Sequence, residues 1–189
     1  MMKKNELGVI TLEACISVLS FLILMLMLSG LFLMFMAQNV TAHTVLQTSQ
    51  SLSLEAYATD KLGIPSGKIG EVGDYLGKFV SDMFGSSDEN PYFVSGEQWY
   101  TKDNTTIAKA IKTRFVGYLT GGDESAADEL LKNMNVVNGL NGLDFTSSYI
   151  ANDTLYIVLK YELEYDFKLA NVGNIPVEQT TCSKLWRAK

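Results

Sequence analysis

Residues 7–37 read LGVITLEACISVLSFLILMLMLSGLFLMFMA, and the 24 positions from Ala14 to Ala37 carry no ionisable side chain except the thiol of Cys15. At about 1.5 Å rise per residue this run is long enough for a hydrocarbon core of roughly 30 Å, so it predicts a transmembrane helix. A cleaved secretory signal has a shorter apolar region, roughly 7 to 15 residues, with small residues at the cut. The string VTAH at 40–43 supplies such residues, but the apolar run ahead of it is too long for that reading. Lys3 and Lys4 precede the span and no Lys or Arg follows it until Lys61. That asymmetry places the N-terminus in the cytoplasm and residues beyond 40 outside.

Working outward, the remainder accounts for the acidic balance: the chain has net charge -6, and its basic residues are scattered along the sequence. A clustered basic footprint for nucleic acid is missing, which excludes that class of partner. Cys15 lies in the span and Cys182 near the other end, so one intramolecular disulfide is not expected. Cys15 also comes before the apolar run, whereas an acylated lipoprotein cysteine follows it.

The segment after the span, QNVTAHTVLQTSQSLSLEAYATDKLG, has no Gly or Pro before Gly63. The helix is therefore expected to continue to about Thr59, with Gly63 and Pro65 stopping it. Ser and Thr are mediocre helix formers in water, so a projecting helix of this composition needs a surface to lie against. Residues 69–84 place Ile69, Val72, Leu76, Phe79, Val80 and Met83 on one helical stripe. A second stripe, Ile107, Ile111, Phe115 and Tyr118, predicts a helix capped by Asn104 and ended by Gly121-Gly122. A shorter helix is expected from Asp123 to Met134, followed by loop to Gly142. Then the period falls from about 3.6 to 2: in NDTLYIVLKYELEYDFKL, apolar Leu155, Ile157, Leu159, Tyr161 and Leu163 alternate with polar residues through Lys168. That is a strand with one wet face. LDFTSSYI before it, joined through AND, and PVEQTTCSKLW after it complete an antiparallel meander of three strands.

The opening residues also carry a resemblance. MMKKNELG followed by VITLE and a long apolar helix resembles the class III signal of type IV pilin-like proteins, with a basic leader, a glycine at the cut and a glutamate at the fifth mature position. More narrowly, GVITLEA is similar to the N-terminus of TadE-like pseudopilins of the tight-adherence (Flp) pilus system, especially the G-S-I-T-V-E-A variety. The resemblance covers roughly the first 45 residues; members often have a small residue after the glycine and a proline about two turns past the glutamate, where this chain has Val9 and no proline. It implies cleavage between Gly8 and Val9 by a prepilin peptidase, with Lys3, Lys4 and Glu13 as recognition and assembly determinants. It also implies other pilin or pseudopilin subunits and an inner-membrane assembly platform as partners, and a pilin-like outer domain.

Glu13 can be weighed without the family. A carboxylate inside a bilayer costs roughly 2.5 to 3.5 kcal/mol on insertion scales, less at the interface, so it needs a partner or a role. Cleavage after Gly8 would create an α-amine on Val9, with a pKa of about 8, available to pair with Glu13 of a neighbouring subunit. The plainer reading is an acid at the start of a helix, favourable with the helix dipole.

Other motifs are weaker. His43 is the only histidine, so histidine metal clusters and Ser-His-Asp triads lack their parts, and no metal or cofactor is expected. TTCSKLWR offers Cys182 and Arg187 to a sortase-like thiol site, but His43 sits on the juxtamembrane helix and the leucine of that motif is absent. GKIGEVGDYLGKF lacks the Ser or Thr after Lys78 that a phosphate loop requires. GGDESAADE has too few spaced oxygen ligands for an EF-hand. Tyr92, Phe93, Trp99 and Tyr100 form an aromatic loop suited either to a partner surface or to packing on the core.

The expectation is an α+β protein: a leader over 1–8, a transmembrane helix extended outward over 9–60, and an extracytoplasmic domain over 61–189 made of helices and a C-terminal three-stranded antiparallel meander. Its function would be assembly, not catalysis. The alternative is an unprocessed single-pass anchor carrying an extracellular binding domain.

Overall fold

In a computed structural model, the structure describes residues 4–62, 99–165 and 173–185. Helix α1 spans Lys4–Leu62 without a break, about 88 Å of helix. Its last described residue, Leu62, lies three residues beyond the expected end near Thr59 and directly before Gly63. Helix α2 follows at Asn104–Thr120 and α3 at Glu124–Asn133. Strands β1 (Tyr149–Ala151), β2 (Thr154–Glu164) and β3 (Asn174–Lys184) form one antiparallel sheet in sequence order. The α+β class and the meander of three strands are therefore as expected. The helix anticipated over 69–84, and Tyr92 and Phe93, lie outside the described residues.

The outer half of α1 finds the surface its composition calls for within its own chain. Thr41, Thr44, Thr48, Ser49, Ser51 and Ser53 are all buried, and their small side chains let the sheet and α2 approach the helix closely. Thr41 and Thr44 return hydroxyl bonds of 2.8 Å each to the carbonyls of Ala37 and Val40, satisfying donors that burial would otherwise strand. The sheet is tied to α1 along its length. The Tyr165 phenol donates to the Met27 carbonyl at 3.1 Å, the Gln179 amide to the Gln38 carbonyl at 3.0 Å and the Ser183 hydroxyl to the Ser49 carbonyl at 3.0 Å. Met27 to Ser49 covers about 33 Å of helix, close to the roughly 37 Å of an 11-residue strand, so α1 runs along the strands.

The core lies between α1, α2, α3 and the inner face of the sheet. Leu155, Ile157, Leu159, Tyr161 and Leu163 of β2 are buried, as their alternation predicts. They share one apolar core with Ile107, Ile111 and Phe115 of α2, and Phe115 touches Phe145 with ring centroids 5.5 Å apart. Turn residues Asn152 and Asp153 take positive φ of 51° and 57°, the mirror-turn geometry that asparagine and aspartate tolerate best after glycine. Strand β2 is regular to Glu164; the alternating residues from Asp166 onward lie outside the described residues.

Two local expectations need correction. The cap of α2 is Asp103, not Asn104: Asp103 has extended backbone angles, and its carboxylate accepts from the Thr106 hydroxyl at 2.7 Å instead of from a backbone amide. The segment to Gly142 is more ordered than a loop. Asn135, at φ 61°, closes α3 with Val136 N–H on the Leu131 carbonyl and its own N–H on Lys132, a left-handed cap that asparagine accepts without glycine. The chain then runs beside the edge of β2 that faces away from β3, where Val136 bridges Leu163 and Asp144 bridges Lys160. These bonds cover backbone groups of β2 that the three-residue β1 is too short to reach.

Candidate assembly and anchoring site

The site expected from the sequence sits at the head of α1. Gly8 and Val9 lie within its regular helical backbone, and Lys4 begins it; Lys3 lies outside the described residues. Val9 and Glu13 are both exposed and one turn apart on the same face. Helical side chains lean toward the N-terminus, so the Glu13 carboxyl is carried back over the turn that holds Val9.

From Thr11 to Ser29 every side chain is exposed except Ile23, which is half-buried. Such a helix, apolar all round and uncovered, is soluble only against lipid or other apolar helices. It is the one helix among the described residues long and apolar enough to cross a membrane. Ser20 hides its hydroxyl on the Ile16 carbonyl at 2.8 Å, as a polar group in an apolar medium must.

The outer part divides into two faces. Toward the sheet, Thr41 and the Tyr161 phenol share a buried hydrogen bond of 2.9 Å, and the Gln179 amide donates to the same phenol at 3.2 Å. Burial pushes the Tyr161 phenol above its ordinary pKa, with the Thr41 bond opposing it. Toward α2, Arg114 and Glu55 form an ion pair with side chains only 2% and 0% exposed. Arg114 also donates to the Ser51 hydroxyl at 2.7 Å. Burial likewise raises the pKa of neighbouring Tyr118, against a lowering bond from Ser51. The opposite face of α1 stays open, with Leu46, Leu54 and Tyr57 exposed in a line continuous with the span.

Protein-family models, curated proteins and solved structures give no match to this chain.

Trp99 and Tyr100, anticipated as part of a possible partner surface, do not form one. They lie in a short 3-10 turn, Trp99–Thr101, 0% and 6% exposed, with rings edge to face at 5.7 Å inside the core. The core alternative raised by their composition is the one realised. Cys182 is exposed on the face of β3 that alternates away from α1, whereas its neighbour Ser183 bonds α1 directly. His43 is exposed on α1, the helix from which the Cys182 face of β3 is turned away. Among the described residues no group of three or more His, Cys, Asp or Glu side chains is placed to hold a metal ion.

Sequence reasoning missed the Arg114–Glu55 pair. The signal was present: Arg114 falls at helical spacing from Ile107, Ile111 and Tyr118, on the apolar stripe, and Glu55 is the one acid between Glu13 and Asp60. A cation and an anion on two otherwise buried faces imply each other.

Proposed function

We propose that this chain is a pseudopilin-like, minor subunit of a bacterial Tad/Flp-type pilus assembly or secretion machine, with the N-terminus cytoplasmic and the α+β domain outside. A prepilin peptidase removes residues 1–8, and the helix from Val9 then anchors the subunit and packs against other pilin or pseudopilin subunits on an inner-membrane platform. The observation that carries this reading is the placement of Gly8 and Glu13 at the head of an uncovered apolar helix that continues unbroken along an antiparallel sheet. In the membrane, Glu13 of one subunit pairs with the new ammonium of Val9 in the next, fixing axial register where apolar contacts alone would slide. The same carboxyl can meet its own chain's ammonium one turn away, which holds the pair in reserve before assembly.

Expression of the full chain with and without a prepilin peptidase, read by intact mass, tests the proposal. Loss of Met1 to Gly8 only when the peptidase is present supports it, and a bulky residue at Gly8 is expected to block that loss. A chain that keeps its leader beside its cognate peptidase is instead an unprocessed single-pass anchor for an outer binding domain.

A further inference from the structure

The two faces of α1 are covered to different heights. On the open face, the unbroken run of exposed apolar side chains continues to Phe35, 62% exposed, and Met36, and the next exposed polar residue is Asn39; Leu46, Leu54 and Tyr57 are exposed farther out, separated by polar positions. On the sheet face, protein cover starts earlier. Tyr165 donates to the Met27 carbonyl at 3.1 Å, its ring lies over Gly30, and Met34 and Ala37 are buried. Gly30 makes this approach possible: a Cβ there would stand 3.0 Å from the Tyr165 ring. From Gly30 to Met36, about 9 Å of helix, one face is domain and the other is bare hydrocarbon.

Phe35 and Met36 continue the unbroken apolar surface of the span, and in a subunit not yet packed against another, lipid is the medium that covers them. A hydrocarbon core of roughly 30 Å that begins at Ala14 ends near Leu33, so the Met27 carbonyl lies about 9 Å inside it. The end of β2 then enters the same layer. Tyr165 can enter it because its ring is apolar and its hydroxyl, the deeper end, is satisfied by the Met27 carbonyl. The outer face at this end carries exposed Glu162, Glu164 and Asn174, the first and last joined by a 2.8 Å hydrogen bond, and these polar groups hold it at the headgroups.

We propose that the end of the sheet at which β2 stops and β3 starts, marked by Tyr165, Glu164 and Asn174, seats in the outer headgroup layer of the bilayer, so that lipid is a partner of the domain as well as of the helix. This inference rests on reading α1 as a membrane span. It makes span and domain one rigid body, because the Tyr165 contact is formed where water does not compete for the Met27 carbonyl.

The test uses the full chain with Cys15→Ser and Cys182→Ser, reconstituted in phosphatidylcholine vesicles. Single cysteines replacing Met25, Phe35, Glu164, Asn174 or Lys184 carry a nitroxide. Collision with oxygen, which concentrates in lipid, is compared with collision with a water-soluble nickel chelate. The expected result is a deep label at 25, labels at 164 and 174 within about one helical turn of the depth at 35, and a fully aqueous label at 184. Labels at 164 and 174 as open to nickel as the one at 184, with 25 still deep, would overturn the seating while leaving the span intact. A label at 25 open to nickel overturns the span and the seating together.

Discussion

Glu55 is fully buried, and its partner Arg114 is almost as well hidden. Removing one member leaves an uncompensated charge in the core, so Glu55→Gln or Arg114→Leu is expected to cost about 3–5 kcal/mol, measured by urea unfolding of the detergent-solubilised chain. The double replacement Glu55→Leu with Arg114→Met should recover most of that loss, because apolar contacts can replace a desolvated pair. A double variant no better than the singles would show that the pair fixes the register of α2 on α1, not merely its own charges. Tyr161 is a milder case. Tyr161→Phe removes the hydrogen bond with Thr41 but keeps the ring, and the expected loss is about 0.5–1.5 kcal/mol in the same assay.

At the scale of elements, α3 is held at both ends by local chemistry. The Asp123 carboxylate accepts from Ala126 N–H at 3.0 Å, and Asp123→Ala is expected to cost about 0.5–2 kcal/mol. The segment after α3 is held by backbone proximity. A Cβ on Gly142 would fall 1.9 Å from the Val137 carbonyl oxygen, which no rotamer change can relieve. Gly142→Ala should therefore shift the backbone that bridges β2 and cost about 1–3 kcal/mol, with amide exchange accelerated first at Lys160 and Glu164, whose N–H groups this segment holds. Uniform acceleration across the sheet would count against a local origin. The Gly121 cap was legible in the sequence as a helix stop; the Gly142 contact was not, because it depends on a residue five positions back in a segment with no periodic signal.

The whole molecule gathers these effects in its response to pH. Asp128 is held below its ordinary pKa by the Lys132 ammonium and the Leu140 amide, and Asp144 by the Thr146 hydroxyl and amide. Each contributes stability that is present above the unfolded carboxyl pKa of about 4 and is lost as pH falls through the lower folded value. Tyr118 and Tyr161 have the opposite form: burial raises them, so their contribution is present below about pH 10 and is lost as pH rises through the folded value. Thermal unfolding of the outer domain should therefore show a plateau with an acid and an alkaline shoulder. Asp144→Asn is expected to flatten the acid limb and Tyr161→Phe the alkaline one; an alkaline limb unchanged in Tyr161→Phe would show that Tyr161 is not its source.

Sequence alone determined the elements whose signal is periodic or compositional. The apolar run from Ala14 to Ala37 can satisfy its backbone in lipid only as a helix, and the alternation from Leu155 to Leu163 can bury one face only as a strand. It also placed Gly8, Val9 and Glu13 at the head of that helix, because their spacing is local. Tertiary structure alone decided what the outer half of α1 rests on, where Trp99 and Tyr100 go, that Arg114 finds Glu55, and that Tyr165 meets Gly30. Each of these joins residues far apart in the chain, and their meeting depends on close packing between elements, which no local pattern encodes.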